Sequence, residues 1–385
     1  GPHPGTGLDD RAGPPVPGPG RSPRCPFWCV GSPLSDPFGG AVLSRFDSLE
    51  IAKIIAWAGR EGYIEATSYH DDDLVPWDPE HPEDDLDPSS PAGRKLREIK
   101  AVLDDAGVKV HASICSLHGN RLFRDGGLCN PDPAIRRLAA QKVERTLRIG
   151  QFFGAKYYVY WVARDGFEVP VVTKWEQVYE WLAEGLNHVT DYIREQNMTN
   201  YVGATVEPKP NEPRGQMFLP TSGHAAGFIC GKLKEPDFWG VNPELLQHES
   251  MALMNACMTV AYLCSMNKLK FLHFGSQIKA QFDNDFPPLI GPEGLKETVM
   301  MFEALNRIGW KGAVEFDCHM LRAEGNPEDE TGCRKQFIID CVTALSMALK
   351  LAERIETPAA YASQSAADLA GIRQMCALGD IDPRR

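Results

Sequence analysis

The sequence predicts a parallel (β/α)8 barrel, and three observations carry that reading. Eight short runs rich in β-branched and aromatic residues alternate with eight longer segments of helical periodicity. The runs recur roughly forty residues apart, the spacing of a strand–helix unit with its connections. The competing doubly wound sheet lacks its phosphate loop, since no G-x-G-x-x-G follows the first run and no Walker A string occurs.

Taken in order, the predicted strands are 27–30, 63–69, 108–115, 156–162, 201–206, 239–242, 271–274 and 313–316. The predicted helices are 48–60, 92–106, 132–153, 173–197, 221–234, 249–266, 293–308 and 332–355. Asp47 followed by Glu50 reads as a capping box opening the first helix, and Ala106-Gly107 as the stop of the second. The barrel then covers 27–355. Residues 1–26 contain 14 Gly or Pro and read as a flexible tail, because they offer little apolar surface to offset the entropy of ordering. Residues 356–385 read as a short C-terminal extension, helix-containing, that packs on the barrel or on a neighbouring subunit.

Composition excludes several classes. Of 385 residues, 43% are hydrophobic and 24% charged, which is globular composition. The 40 Lys+Arg against 52 Asp+Glu leave a charge of −12, unsuited to a nucleic-acid surface. No apolar run approaches the ~18 residues of a membrane span. The 11 cysteines form no C-x-x-C pair and sit mostly in apolar runs, so a reduced, intracellular and cytoplasmic protein without a secretory signal is expected.

In such barrels the chemistry lies at the C-terminal ends of the strands. The second strand runs into His70-Asp71-Asp72-Asp73, the fourth ends at Trp161, and the fifth runs into Glu207-Pro208-Lys209. Glu244 and His248 follow the sixth, His273 and then Asp283-Asn284-Asp285 the seventh, and Asp317-Cys318-His319 the eighth. Several anions on one rim repel unless cations hold them, so a divalent metal is expected. An oxygen-rich set with imidazole and no thiolate favours Mg²⁺ or Mn²⁺, with Co²⁺ as substitute, and two ions sharing a carboxylate are accommodated. Lys209 reads either as a donor to a substrate oxygen or as an ion pair to Glu212. His70 with Asp73 reads as a carboxylate–imidazole pair for proton transfer or as a strand-end cap. Trp161 reads as a wall for a sugar face or as core. The acidic run 79–87 reads as a solvated loop.

At these residues the sequence resembles the xylose isomerases, in particular their shorter, actinobacterial-type group. The resemblance is carried by Val206-Glu207-Pro208-Lys209-Pro210-Asn211-Glu212-Pro213-Arg214-Gly215, with His70-Asp71-Asp72-Asp73-Leu74, Asp36-Pro37-Phe38-Gly39, Val241-Asn242-Pro243-Glu244 and Phe282-Asp283-Asn284-Asp285 in the same order. It implies a two-metal aldose–ketose isomerase converting D-xylose to D-xylulose, and D-glucose to D-fructose, by hydride shift. It further implies ring opening by His70 and Asp73, a contact of Lys209 with the sugar O1, and a pocket lined by Trp28, Trp161 and His118. Phe38 would come from a neighbouring subunit of a homotetramer or dimer. One metal would take Glu207, Glu244 and Asp317, the other Glu244, His248, Asp283 and Asp285. The sequence also departs from the family. Glu244 and His248 are one residue further apart, and Gly275 replaces an Asp that would ligate the first metal, with His319 as the nearest replacement. An isomerase or epimerase acting on another sugar, a sugar-binding barrel without turnover, and phosphodiester hydrolysis in an endonuclease-type barrel are the alternatives; the last fits poorly with −12.

Overall fold

The computed structural model describes residues 21–355 except 37, 82, 83 and 290. Its main sheet has eight parallel strands: β1 Pro23–Arg24, β2 Ala66–His70, β3 Lys109–Ile114, β4 Tyr157–Trp161, β5 Gly203–Glu207, β6 Trp239–Val241, β7 Phe271–Phe274 and β8 Ala313–Phe316. The hydrogen-bonded order is β6-β5-β4-β3-β2-β1-β8-β7, each strand beside its neighbours in sequence. Between β6 and β7 the ladder is reduced to parallel bridges, Val241 with Leu269 and Glu244 with His273. Val241 N donates to Lys268 O at 2.7 Å and His273 N to Pro243 O at 3.2 Å, which brings the two edges together. The result is the (β/α)8 barrel expected.

Eight major helices alternate with the strands: α1 Ser48–Arg60, α2 Pro91–Asp105, α3 Pro133–Phe153, α4 Val178–Glu195, α5 Ser222–Lys232, α6 Ala256–Ser265, α7 Gly291–Ile308 and α8 Glu330–Glu353. Asp47 caps α1 by accepting from Leu49 N at 2.9 Å. Glu50 does not complete the box; it pairs with Lys53 at 2.6 Å. Gly154 ends α3 with φ +74°, the left-handed conformation that glycine adopts without penalty.

The first predicted strand is corrected. Residues 27–30 lie in a one-turn helix, Phe27–Gly31, and the strand is Pro23–Arg24, paired with both β8 and β2. Four apolar residues satisfy either geometry; here Phe27 and Val30, one helical turn apart, face the core, while Trp28 is left half-buried. Residues 21–26 therefore belong to the barrel rather than to a tail, while 1–20 and 356–385 lie outside the described residues. The predicted helix 249–266 is also split, into His248–Met251 and α6. Leu253 turns to φ +57°, and Asn255 starts the new helix by accepting from Met258 N at 3.1 Å. In the acidic run, Glu80 and Asp87 are exposed as read, but Asp85 is buried against the Arg145 guanidinium at 2.5 Å, so the loop is pinned at that point. No helix among the described residues is long and apolar enough to cross a membrane.

Candidate active site

The second strand delivers His70 to the mouth, and the one-turn helix Asp71–Leu74 folds Asp73 back onto it. Asp73 Oδ2 accepts from His70 N at 2.8 Å and lies 3.2 Å from His70 Nδ1. Burial favours neutral imidazole at His70, but the Asp73 carboxylate outweighs it and raises the pKa. The turn is anchored from behind. Asp71, fully buried, takes Lys142 Nζ and Arg145 Nη1 of α3 at 2.6 Å each, and accepts from Ser116 N at 2.8 Å.

At the ends of β5 to β8, two sets of donor atoms converge: Glu207, Glu244, His273 and Asp317, and then Glu244, His248 and Asp283. Glu244 is common to both. His273 Nδ1 lies 2.8 Å from Asp317, 3.2 Å from Glu207 and 3.9 Å from Glu244. His248 Nε2 lies 3.2 Å from Glu244 and 3.4 Å from Asp283, while its Nδ1–H donates to Pro208 O at 3.1 Å. That last bond leaves Nε2 as the nitrogen available to a ligand.

The electrostatics match an anionic cage. Burial, then Asp317, pushes the Glu244 carboxyl well above its usual range, and burial, then Asp283, does the same to Asp285. Burial works against charge on Asp283 too, but His248 and Lys209 beside it hold that carboxyl well below the usual range. His273 is raised well above a free imidazole: burial opposes the charge, and Glu207 and Asp317 overcome it. The groups that retain a proton on His273 are the ones that would hold a metal ion in its place. Glu244 Oε2 and Asp283 Oδ1 are buried and accept no hydrogen bond, although native buried oxygens normally do. Three carboxylates with an imidazole, beside two carboxylates with an imidazole, suit a hard to borderline divalent ion, so the residues fit a metal centre.

The mouth encloses a cavity of about 140 Å³ lined by Trp28, His70, Ile114, His118, Trp161, Glu207, Glu244, His248, Asp283, Asp285 and Asp317. Trp28 Nε1 donates to Asp317 Oδ1 at 2.7 Å and its ring packs on His70, centroids 4.7 Å apart. The His118 ring stands edge-on between Trp161 (4.8 Å) and His70 (5.5 Å). Burial, with the His70 charge next to it, lowers His118 to about 3, so it faces the cavity neutral. Lys209 Nζ donates to Asp283 Oδ2 at 2.6 Å and lies 5.8 Å from the Trp161 ring centroid. Burial would lower its pKa, but Asp283 outweighs that and keeps it charged. Its partner is thus Asp283; Glu212 instead accepts from Asp283 N at 3.0 Å.

Most of the residues singled out in the sequence meet here. Asp285 lines the cavity but stands outside both donor sets, one oxygen taken by Gln247 Nε2 at 3.1 Å. Phe38 does not line the cavity and is fully exposed. His319 turns to the Met320 carbonyl at 3.0 Å; where Gly275 offers no carboxylate, His273 stands in the first set. His273 was visible at the end of the seventh run, but the ligand sets that the resemblance implies left it out. Glu315 was missed altogether: completely buried, it accepts from His273 Nε2–H at 3.1 Å and from Ser68 Oγ at 2.5 Å. Its signal was a carboxylate in the middle of an apolar strand, two residues before Asp317. Asn242, donating to Glu207 Oε2 at 3.1 Å, is a further supporting residue.

The "xylose isomerase-like TIM barrel" family model matches residues 70–336. The chain is 34% identical to the xylose isomerase of Thermus thermophilus over 316 residues, 81% of this chain and 77% of that protein. Among solved structures, a D-allulose 3-epimerase from a Methylomonas species superposes with a TM-score of 0.58 at 13% identity, covering 86% of this chain and 98% of its own. An L-ribulose 3-epimerase does so at 0.57 and 16% identity, over 90% and 98%; at such identities the likeness is one of fold. With the matched region spanning the strands that carry both donor sets, the chain belongs to the xylose isomerase-like TIM barrel family.

Proposed function

We propose that the protein is a divalent-metal-dependent aldose–ketose isomerase converting D-xylose to D-xylulose, with D-glucose to D-fructose as a secondary reaction. The observation that carries this is the shared Glu244 between two donor sets, with the buried Lys209 ammonium at their edge. Two cations, Mg²⁺ or Mn²⁺ with Co²⁺ as substitute, would supply Lewis acidity at adjacent sugar oxygens. Glu207, Glu244, His273 and Asp317 would hold the first, and Glu244, His248 and Asp283, with Asp285 beside them, the second.

The chain's own groups do the rest. Trp28 and Trp161 present flat apolar surfaces to a sugar and keep water from the reacting carbons. Asp73 holds His70 with Nδ1 protonated, so that Nε2 can take the proton of a ring hydroxyl and open the ring. Lys209, already charged, donates to the oxygen that gains negative charge, at no cost of reorganisation. Phe38, fully exposed, is available to a neighbour's cavity in a homotetramer or dimer, which sedimentation velocity tests.

The test is conversion of D-xylose by chelator-stripped protein, with Mg²⁺, Mn²⁺ or Co²⁺ restored separately, in D₂O. Metal-restored xylulose without deuterium at C1 supports the proposal; failure with every ion in folded protein sinks it. A second reading, an epimerase of another ketose, is favoured by His118, whose imidazole narrows the wall between His70 and Trp161. It requires epimerisation of a ketose with deuterium entering the product carbon, and inert D-xylose.

A further inference from the structure

Gln247 is completely buried in the turn that carries both Glu244 and His248. Its Nε2 donates twice, to Asp285 Oδ1 at 3.1 Å and to the main-chain oxygen of Asp317 at 2.5 Å. One amide thus ties three segments: the turn after β6, the loop 275–289 and the end of β8. Its Oε1 is buried with no hydrogen bond. The amide cannot relieve this by turning over, since that would set oxygen against both the Asp285 carboxylate and the Asp317 carbonyl.

The space for this amide is made by Gly275. A Cβ at that position would stand 2.8 Å from Gln247 Cδ, 2.8 Å from Gln247 Nε2 and 2.8 Å from Asp317 O, closer than real Cβ contacts come. Gly275 is not among the residues with positive φ, so the demand is for room and not for backbone freedom. Gln247 and Gly275 therefore occupy one place in the fold. Where a side chain at 275 would stand, the volume is filled by a neutral donor that lies 3.1 Å from the loop carboxylate Asp285. No charge is added to a mouth that already gathers Glu207, Glu244, Asp283 and Asp317.

We propose that Gln247 and Gly275 act as one positioning unit that fixes the Asp285 carboxylate at the edge of the Glu244, His248 and Asp283 set, from where its other oxygen joins them as a fourth donor when an ion binds. The inference rests on the reading of this cavity as a divalent-ion centre. Gln247 touches no substrate; it acts through Asp285, and removing such an outer partner typically weakens metal affinity by about 10- to 100-fold.

The experiment measures Mn²⁺ stoichiometry and affinity by calorimetry, together with the visible spectrum of the Co²⁺-loaded protein, for wild type, Gln247→Met and Gly275→Ala. Met keeps the length and volume of Gln without its donor; Ala places a Cβ against the amide. Circular dichroism melts of the metal-free proteins report folding. The expected result is that, in Gln247→Met, one ion weakens by about 10- to 100-fold with a changed Co²⁺ spectrum while the other keeps its affinity within about twofold. Gly275→Ala, if folded, should weaken the same ion. Unchanged binding in Gln247→Met overturns the inference, whether the wild type takes up two ions or one, and so does equal loss of both ions. A wild type that takes up no ion overturns the ion-centre reading itself, and the inference with it.

Discussion

Lys209 separates the two roles open to a buried lysine beside an active site. Its ammonium is paired with Asp283 at 2.6 Å and faces the ring of Trp161. Lys209→Ala should lower kcat about 10²- to 10³-fold, as loss of a charge-stabilising donor does, with the circular dichroism spectrum retained. Glu244 serves both donor sets, so Glu244→Gln should abolish uptake of both ions in a metal analysis of dialysed protein, whereas Asp283→Asn should spare the first. His70 makes the pH dependence predictable. Its pKa is raised because Asp73 overcomes burial, so the protonated pair stabilises the fold at low pH, and that contribution fades as pH rises through the raised value. A base must be neutral to accept a proton, so at saturating metal kcat/KM should climb with pH along an acid limb set by the His70–Asp73 pair. In Asp73→Asn the midpoint of that acid limb should move about one pH unit lower.

At the scale of elements, the turn 71–74 is held by the helix that follows the next strand. Lys142 and Arg145 of α3 reach Asp71, and Arg145 also reaches Asp85. All three partners of this pairing, Asp71, Lys142 and Arg145, are buried, so Asp71→Ala leaves two cations short of an anion and should cost about 3–5 kcal/mol in denaturant unfolding. The same change should lower kcat, because His70 and Asp73 ride on that turn. Elements were legible where the pattern had a single solution. Strands β7 and β8 run as read, being short apolar runs between clear breaks, and α1 has the bounds that Asp47 signals. The pattern failed at β1, where two residues leave no periodicity to detect and the apolar run beside them is a helical turn. It failed again at 249–266, where a helical texture hides the left-handed Leu253. Within the site, carboxylates at strand ends announced themselves. Glu315 and Gln247 did not, because their importance comes from what lies next to them across 42 residues to His273 and 38 to Asp285.

For the whole molecule, the (β/α)8 arrangement explains why residues from 28 to 317 meet in one cavity: each strand delivers its end to the same rim. The rim and the closure of the sheet are not separate matters. The backbone bridge of Glu244 with His273 belongs both to the junction of β6 with β7 and to the first donor set. A cation bound by those two side chains would act as a clasp across the weakest joint of the hoop. Its loss should then be felt along the joint before it is felt elsewhere. Chelation should speed amide exchange at Val241 and His273 well before that of the β3–β4 ladder, while added metal raises Tm by mass action, worth about 2.7 kcal/mol at a hundredfold excess over Kd. On this view an ion held at the site would also finish the container.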